Sequence, residues 1–477
     1  MQMHQANPGT EPTAVLAKTI RWWDGVAITL SLPAALFVGL GYSIGAIGAW
    51  AAIALWAVIA AVAVLHNWLY SEMGAMFGEK SGGIALYANE AWSRRFPSLG
   101  PLATYAYWFA WATAPAIWGL AVAQILSEQF WPDVTFSYNL GPIQLGLPQF
   151  IALGVALISW ALSMIQLRFT MVILTVAGVL LMIPVLIFGT SFLTADVWNT
   201  SSFTWRTGEG VEGLRTILAW LFIMAWSAYA VEAAASFIPE FRDTVADTRK
   251  ALRISALILL LVFTLTPLGL AGLLGEQVLT DKPYGFLQAG AEVLMGGGAA
   301  PITLVLIAGI LVLSVMGTAD AGRALYQSSR DGLTIRQFGT LNRAGVPARA
   351  VTVQLLINIL MVLLVGNPLA VIVAGNVGYI LAHLLAVSGY VMLRWDRPDA
   401  PRPICLSRSW TGIAIALALF DALILVVGMT GAAITGYGGL KEVLIAVAVL
   451  TISQALYWLR RLQDREDSES GAAHKAP

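Results

Sequence analysis

Charge is what this chain has least of. Asp, Glu, Lys and Arg together make up 11% of its 477 residues, against 58% for the hydrophobic types. A soluble globular domain carries about a quarter charged residues, so the chain reads as a polytopic membrane protein. Cysteine is down to one, Cys405, which excludes an internal disulfide framework and any cysteine-based metal site. The four histidines, His4, His66, His383 and His474, are scattered without metal-ligand spacing. No phosphate-binding glycine loop of the P-loop type is present, which weighs against an ATP-driven pump. The polar stretch to about Pro12 lacks the apolar core and cleavage site of a signal peptide. Acidic and basic residues balance at 27 each, and nothing points to nucleic acid as a partner.

What the chain has in quantity is long apolar runs. A helix needs about 20 mostly apolar residues to cross a bilayer. Twelve stretches meet that need, at about 25–48, 50–75, 101–127, 149–166, 169–193, 214–238, 251–274, 299–326, 349–366, 368–393, 410–431 and 438–459. The ninth and tenth are joined only by Gly366-Asn367-Pro368, a link short enough to predict an antiparallel hairpin. Outer loops hold Arg206, Arg215, Lys282 and Lys441, 4 of the 27 Lys and Arg, if both termini are inside. The rest lie on the inner side or near an inner helix end, as expected for cytoplasmic termini. Gly296–Gly298 predicts a loose turn, and the charged tail from Arg460 to Pro477 predicts little order.

One stretch stands out, Ala225–Ala251, reading AWSAYAVEAAASFIPEFRDTVADTRKA. Glu232 lies deep in an apolar segment there, and a carboxylate in the membrane is costly enough to mark a functional-site candidate.

Four ordered stretches resemble the amino acid–polyamine–organocation superfamily. The first is WDGVA, Trp23–Ala27. The second runs from YSEMGAMF (Tyr70–Phe77) to SGGIALY (Ser81–Tyr87). In the third, Trp226 and Glu232 fall at the family's aromatic and acidic positions, and Arg242-Asp243 replaces its basic-Asn pair. The fourth is AGRALYQSSRDGL (Ala321–Leu333) followed by NRAGVPARA (Asn342–Ala350). A weaker echo is LRWDRPDAPRP after the tenth run. The resemblance spans roughly residues 20–405. It implies the all-α LeuT-type fold, a five-plus-five inverted repeat with broken helices 1 and 6 and two peripheral helices. The divisions expected are a cytoplasmic tail at 1–20, repeats at 21–193 and 194–405, helices 11 and 12 at 406–459, and a cytoplasmic tail at 460–477. It also implies that helices 1 and 6 unwind mid-membrane to cradle a substrate, where freed N–H and C=O groups meet a polar cavity.

In helix 1 the substrate loop would be Ser31, Leu32, Pro33, Ala34 and Ala35. The family pattern is glycine-rich there, but Pro33 can break the helix by itself. A packing kink is the plainer alternative. Helix 6 offers Trp226, Ser227, Ala228 and Tyr229, and helix 3 offers Trp108 and Trp111, either as pocket walls or as core. Glu232 is read as a gate carboxylate bonding freed backbone N–H groups, with proton relay as the alternative. In helix 8, Ser314 and Thr318 are candidates for a Na+ site. Asp320 either joins the coupling or pairs with Arg323, three residues on. Many family members carry a lysine in helix 5, in a pattern where this chain has Leu174-Thr175-Val176-Ala177-Gly178. Glycine takes the lysine's place, which removes lysine-based coupling. Asn376, a lone amide, reads as an interhelical hydrogen bond.

The expectation is a plasma-membrane secondary transporter, not an enzyme, working by alternating access. Its partners would be the lipid bilayer and a small-molecule substrate, an amino acid or related amine. It would need no cofactor beyond Na+ or H+ as coupling ion. Exchange of substrates, and a nutrient sensor built on the same fold, are the alternatives.

Overall fold

The computed structural model describes residues 18–473 except 142, 165–167, 282, 297 and 298. Expectations for most of the N-terminal tail, His4, His474, Lys282 and part of the Gly296–Gly298 turn lie outside the described residues.

The chain enters as α1 (Trp22–Thr29) and resumes after a turn as α2 (Ala34–Ile47). Between them the bonding shortens. Leu32 N donates to Thr29 O, Ala34 N to Ser31 O, Ala35 N to Leu32 O and Leu36 N to Pro33 O, each reaching back three residues. Pro33 has no N–H to give, so the α-helical pattern cannot pass through it. Its backbone stays in the helical region, at φ −51° and ψ −25°. The first helix is therefore interrupted as expected, but it tightens there and does not open into extended chain.

Next come α3 (Ala49–Met76), α4 (Gly83–Trp92), α5 (Leu99–Ala112) and α6 (Ala114–Phe130). A small hairpin follows, β1 (Ser137–Leu140) with β2 (Ile143–Gly146), pairing antiparallel from Ser137↔Gly146 to Leu140↔Ile143. It is a departure from the all-α expectation, and the polar, exposed connection it occupies explains why apolar runs did not reveal it. The chain continues through α7 (Leu147–Ser163), α8 (Arg168–Gly189), α9 (Ser191–Thr194) and α10 (Gly210–Tyr229).

At Ala230 the sixth run changes character. Ala230–Glu240 is a 3-10 helix of 11 residues, although such helices rarely exceed three or four. The expected break in this run is thus a change of helix type. Its far end is tied to the start of α1: Ile20 N donates to Glu240 O at 3.1 Å and Arg242 N to Ile20 O at 2.9 Å, a one-residue parallel bridge.

The rest comprises α11 (Thr244–Asp281), α12 (Phe286–Met295), α13 (Ala299–Arg330), α14 (Ala348–Leu364), α15 (Pro368–Asp396), α16 (Ser409–Thr430) and α17 (Leu440–Ala473). Gly275, at φ 77°, interrupts α11. Asn367 caps α15 by accepting from Leu369 N and Ala370 N, with Pro368 at the first position, where its missing N–H costs nothing. α14 packs on α7 and α13, whereas α15 packs on α5 and α16. The link is as short as expected, but the hairpin's two helices serve different neighbours.

Among the described residues, nine helical stretches are long and apolar enough to cross a membrane. Leu147–Ser163, Gly178–Gly189, Phe286–Met295 and Ala348–Leu364 are apolar but shorter. The protein is a multi-pass, mostly helical membrane protein. The C-terminal segment departs from expectation, since α17 continues to Ala473. Arg336 Nη2 meets Asp464 Oδ1 at 2.6 Å, and Arg460 Nε meets the same atom at 2.9 Å, which gives that segment charged partners.

Helix contacts are close where glycine permits. A Cβ on Gly269 would lie 1.9 Å from the Phe188 carbonyl oxygen. Gly269→Ala is therefore expected to force α11 away from α8 and destabilise by about 1–3 kcal/mol, the usual range for overpacking. Thermal unfolding in detergent checks this, and an unchanged midpoint would contradict the close approach.

Candidate functional site

The two irregular spans meet at a narrow cavity of about 10 Å³, barely room for one water molecule. Its walls are Leu32 and Ala35 from the first span, Trp226 and Ala230 from the sixth, and Ala110, Trp111, Trp118 and Tyr379 from α5, α6 and α15. All eight are buried. Its walls are almost wholly apolar, dominated by indole rings. Trp118 and Trp226 pack at 5.1 Å between ring centres, and Trp111 meets Tyr379 edge-on at 6.3 Å.

Of the residues singled out in the sequence, Leu32, Ala35, Trp111 and Trp226 come together here. Ser227 Oγ donates to Ala35 O at 3.1 Å, stitching the sixth span to the first beside the cavity. Ser31 Oγ turns back to Ile28 O. Pro33, Ala34 and Ala228 are buried in the same region but do not line the cavity. Trp108 packs edge-on against Tyr105 and is also outside the lining. Tyr229 points elsewhere, its hydroxyl donating to Asp421 Oδ1 at 2.8 Å.

Glu232 is fully buried, and Oε1 accepts from the Tyr379 hydroxyl at 2.9 Å. Its partner is thus a side chain where freed backbone N–H groups were expected, because the 3-10 segment keeps its N–H groups in helical bonds. Oε2 has no hydrogen-bond partner, and Trp111 Nε1 approaches the carboxyl without reaching hydrogen-bond geometry. Tyr379 packs at 6.3 Å from Tyr107, whose hydroxyl donates to Asp320 Oδ2 at 3.3 Å. Two carboxyls thus flank two tyrosines. Among the described residues Asp320 forms no ion pair with Arg323 within 4.0 Å, but the guanidinium still acts on the carboxyl electrostatically, beside the hydrogen bond from Tyr107.

The sodium-site candidates are occupied with each other and with neighbours. Ser314 Oγ lies 2.8 Å from Ser159 Oγ, and Thr318 Oγ1 donates to Ser314 O. Gly178 sits against the interrupted first helix, since a Cβ there would lie 3.3 Å from both Leu30 Cβ and Ser31 N. Asn376 Nδ2 donates to Phe222 O on α10, an interhelical bond as expected.

The sequence reading missed Ala110, Trp118, Ala230 and Tyr379 as cavity walls. A signal was available. Trp111 and Trp118 are seven apart, two helical turns, and so share a face. Asn376, Tyr379 and His383 repeat at three and four along another face.

A family model described as amino acid permease matches residues 20–460. The lysine-specific permease LysP of Escherichia coli (strain K12) is 24% identical over 404 residues, which cover 79% of this chain and 79% of that protein.

Proposed function

The chain belongs to the amino acid permease family, and from that premise we propose cation-coupled, alternating-access transport of an amino acid or related small amine. Amino acid transport follows from the family, while the coupling, the cycle and the layout are our reading. One observation carries it: a buried, narrow cavity lies where the two irregular spans meet, with walls from both, and it would have to widen to admit a substrate. A site between interrupted helices is open to each side in turn if those helices tilt.

We read twelve spans, the nine long helices joined by the shorter apolar α7, α8 and α14, arranged as two five-helix repeats with α16 and α17 outside. The matching interruptions in the first and sixth spans support that pairing, as does the extensive packing of α3 on α11. The Lys and Arg distribution supports cytoplasmic termini, and the plasma membrane is our reading of the setting. In this reading Leu32, Ala35, Trp111 and Trp226 are the substrate-site walls among the expected residues, Ser31, Pro33, Ala34, Ser227 and Ala228 hold those walls in place, and Glu232 and Asp320 are gate or coupling carboxyls. Ser314 and Thr318 would bind Na+ only after giving up their present bonds.

The E. coli relative is named for lysine. Here the cavity walls are indoles, a phenol ring and small apolar groups, which match an aliphatic or aromatic side chain better than an ammonium group. Purified protein in proteoliposomes is expected to exchange labelled leucine or phenylalanine faster than lysine. Equal or reversed rates would overturn the substrate reading. Imposed Na+ and pH gradients test coupling. If neither drives accumulation and only internal substrate does, the protein is an exchanger.

A further inference from the structure

The transport reading gives no task to a second group of buried polar residues, which lies beside the cavity. Asp421 sits in the middle of α16 with no exposed surface, in a stretch otherwise without charge. Its Oδ1 accepts from Tyr229, and its Oδ2 lies 3.2 Å from His66 Nε2 on α3. The His66 ring packs at 4.7 Å from Tyr229 and 5.3 Å from His383 on α15. His383 Nδ1 lies 2.8 Å from the Tyr70 hydroxyl, and its ring meets Tyr379, the Glu232 partner, at 4.7 Å.

We propose that Asp421 and His66 together hold one exchangeable proton, forming a proton-binding site separate from Glu232 and linked to the substrate cavity through Tyr229.

Charge balance leads there. The helices packed on α16 around Asp421 are α3, α10 and α15. The titratable groups they bring are His66, Tyr70, Tyr229 and His383, with Tyr379 and Glu232 one contact farther. Among the described residues no Lys or Arg pairs with Asp421 or Glu232. A bare carboxylate in such surroundings is strongly disfavoured. One proton removes the problem whether it sits on Asp421 Oδ2 or on His66 Nε2, because either arrangement leaves the pair neutral. Taking that proton away strands a buried negative charge, so it leaves only when water or a cation reaches the pair. His66 Nε2 and Asp421 Oδ2 approach to 3.2 Å without hydrogen-bond geometry, and His66 Nδ1 and His383 Nε2 are likewise buried without partners, leaving polar positions where a proton or such water would be held.

The link to the cavity is short. Tyr229 is three residues after Trp226 and directly before Ala230, both cavity walls. It is also the last α-helical residue before the 3-10 segment. A rearrangement of that wall moves the hydroxyl that holds Asp421 Oδ1. Proton occupancy and substrate occupancy are thereby coupled, and the coupling is reciprocal.

This inference rests on the transport reading, and the test separates the two. The full-length protein is reconstituted with the pH dye pyranine inside the vesicles. Counterflow of a labelled amino-acid mixture is measured, then uptake driven by acid outside. Wild type is expected to show counterflow, proton-driven accumulation and acidification of the lumen. Asp421→Asn should keep counterflow but lose accumulation by at least about 5-fold, the lower range of typical coupling, along with the dye signal. His66→Gln should do the same, which guards against misfolding of the first variant. No wild-type counterflow with any amino acid would overturn the transport reading itself. Wild-type counterflow with no response to the pH gradient would overturn the proton site alone. So would variants that accumulate and acidify like wild type, or monodisperse variants that lose counterflow as well.

Discussion

Glu72→Ala is expected to destabilise the protein by about 3–5 kcal/mol, the usual cost of removing one member of a buried ion pair. Glu72 is 1% exposed and gathers an unusual number of donors. Arg394 Nη2 donates to Oε2 at 2.8 Å, Leu406 N at 2.8 Å and the Tyr390 hydroxyl at 3.1 Å. Arg402 Nε stands 3.2 Å from Oε1. The two guanidinium groups keep only 13% and 9% of their side-chain surface. Without the carboxylate, two cations would face each other with little water. Glu72→Gln keeps an acceptor but not the charge, so it should lose nearly as much. Thermal unfolding in detergent and the yield of monodisperse protein are the measurements. An unchanged midpoint for Glu72→Ala would show that Arg394 and Arg402 do not depend on it.

Glu232→Gln should act on transport and leave the fold intact. The amide keeps an oxygen to accept from Tyr379, so the hydrogen bond that positions the side chain survives. What disappears is the ability to carry charge or exchange a proton beside the cavity. Uptake is expected to fall by about tenfold or more, which corresponds to about 1.4 kcal/mol or more, with the unfolding midpoint near that of wild type. Tyr379→Phe supplies the comparison. It removes the Tyr379 hydrogen bond to Glu232 while keeping the ring as a cavity wall, so it should weaken transport less. Wild-type uptake by Glu232→Gln would take this carboxyl out of the mechanism.

The sequence carried the membrane class, the long apolar helices and the two places where helices change course, because apolar run length and Pro33 are local signals. It also carried two motifs whose connection was invisible. YSEMGAMF and LRWDRPDAPRP are more than 300 residues apart, and only the fold shows Glu72 of one clasped by Arg394 and Arg402 of the other. The site was half legible. Leu32, Ala35 and Trp226 followed from the position of the interruptions and Trp111 from the tryptophan pair of helix 3, while Trp118 and Tyr379 show only in the helical periodicity of the aromatics. His66 and His383 looked scattered because they are 317 positions apart by their numbers. Helix packing, which no spacing rule encodes, brings their rings within 5.3 Å. The type of irregularity was beyond reach too. A run such as AVEAAASFIPE has no signature that separates a 3-10 helix from an unwound segment.

That 11-residue helix also stores length. A 3-10 helix rises about 2.0 Å per residue and an α-helix about 1.5 Å. Recoiling the whole segment into α-helix would draw its ends together by about 5 Å and rotate it by about 20° per residue. One end carries the cavity wall at Ala230, and the other is stitched to Ile20 at the entrance of the first span. The segment is a drawstring: winding it tighter or looser would shift the Ile20 end of the first span relative to the cavity wall without unravelling a single turn into loop.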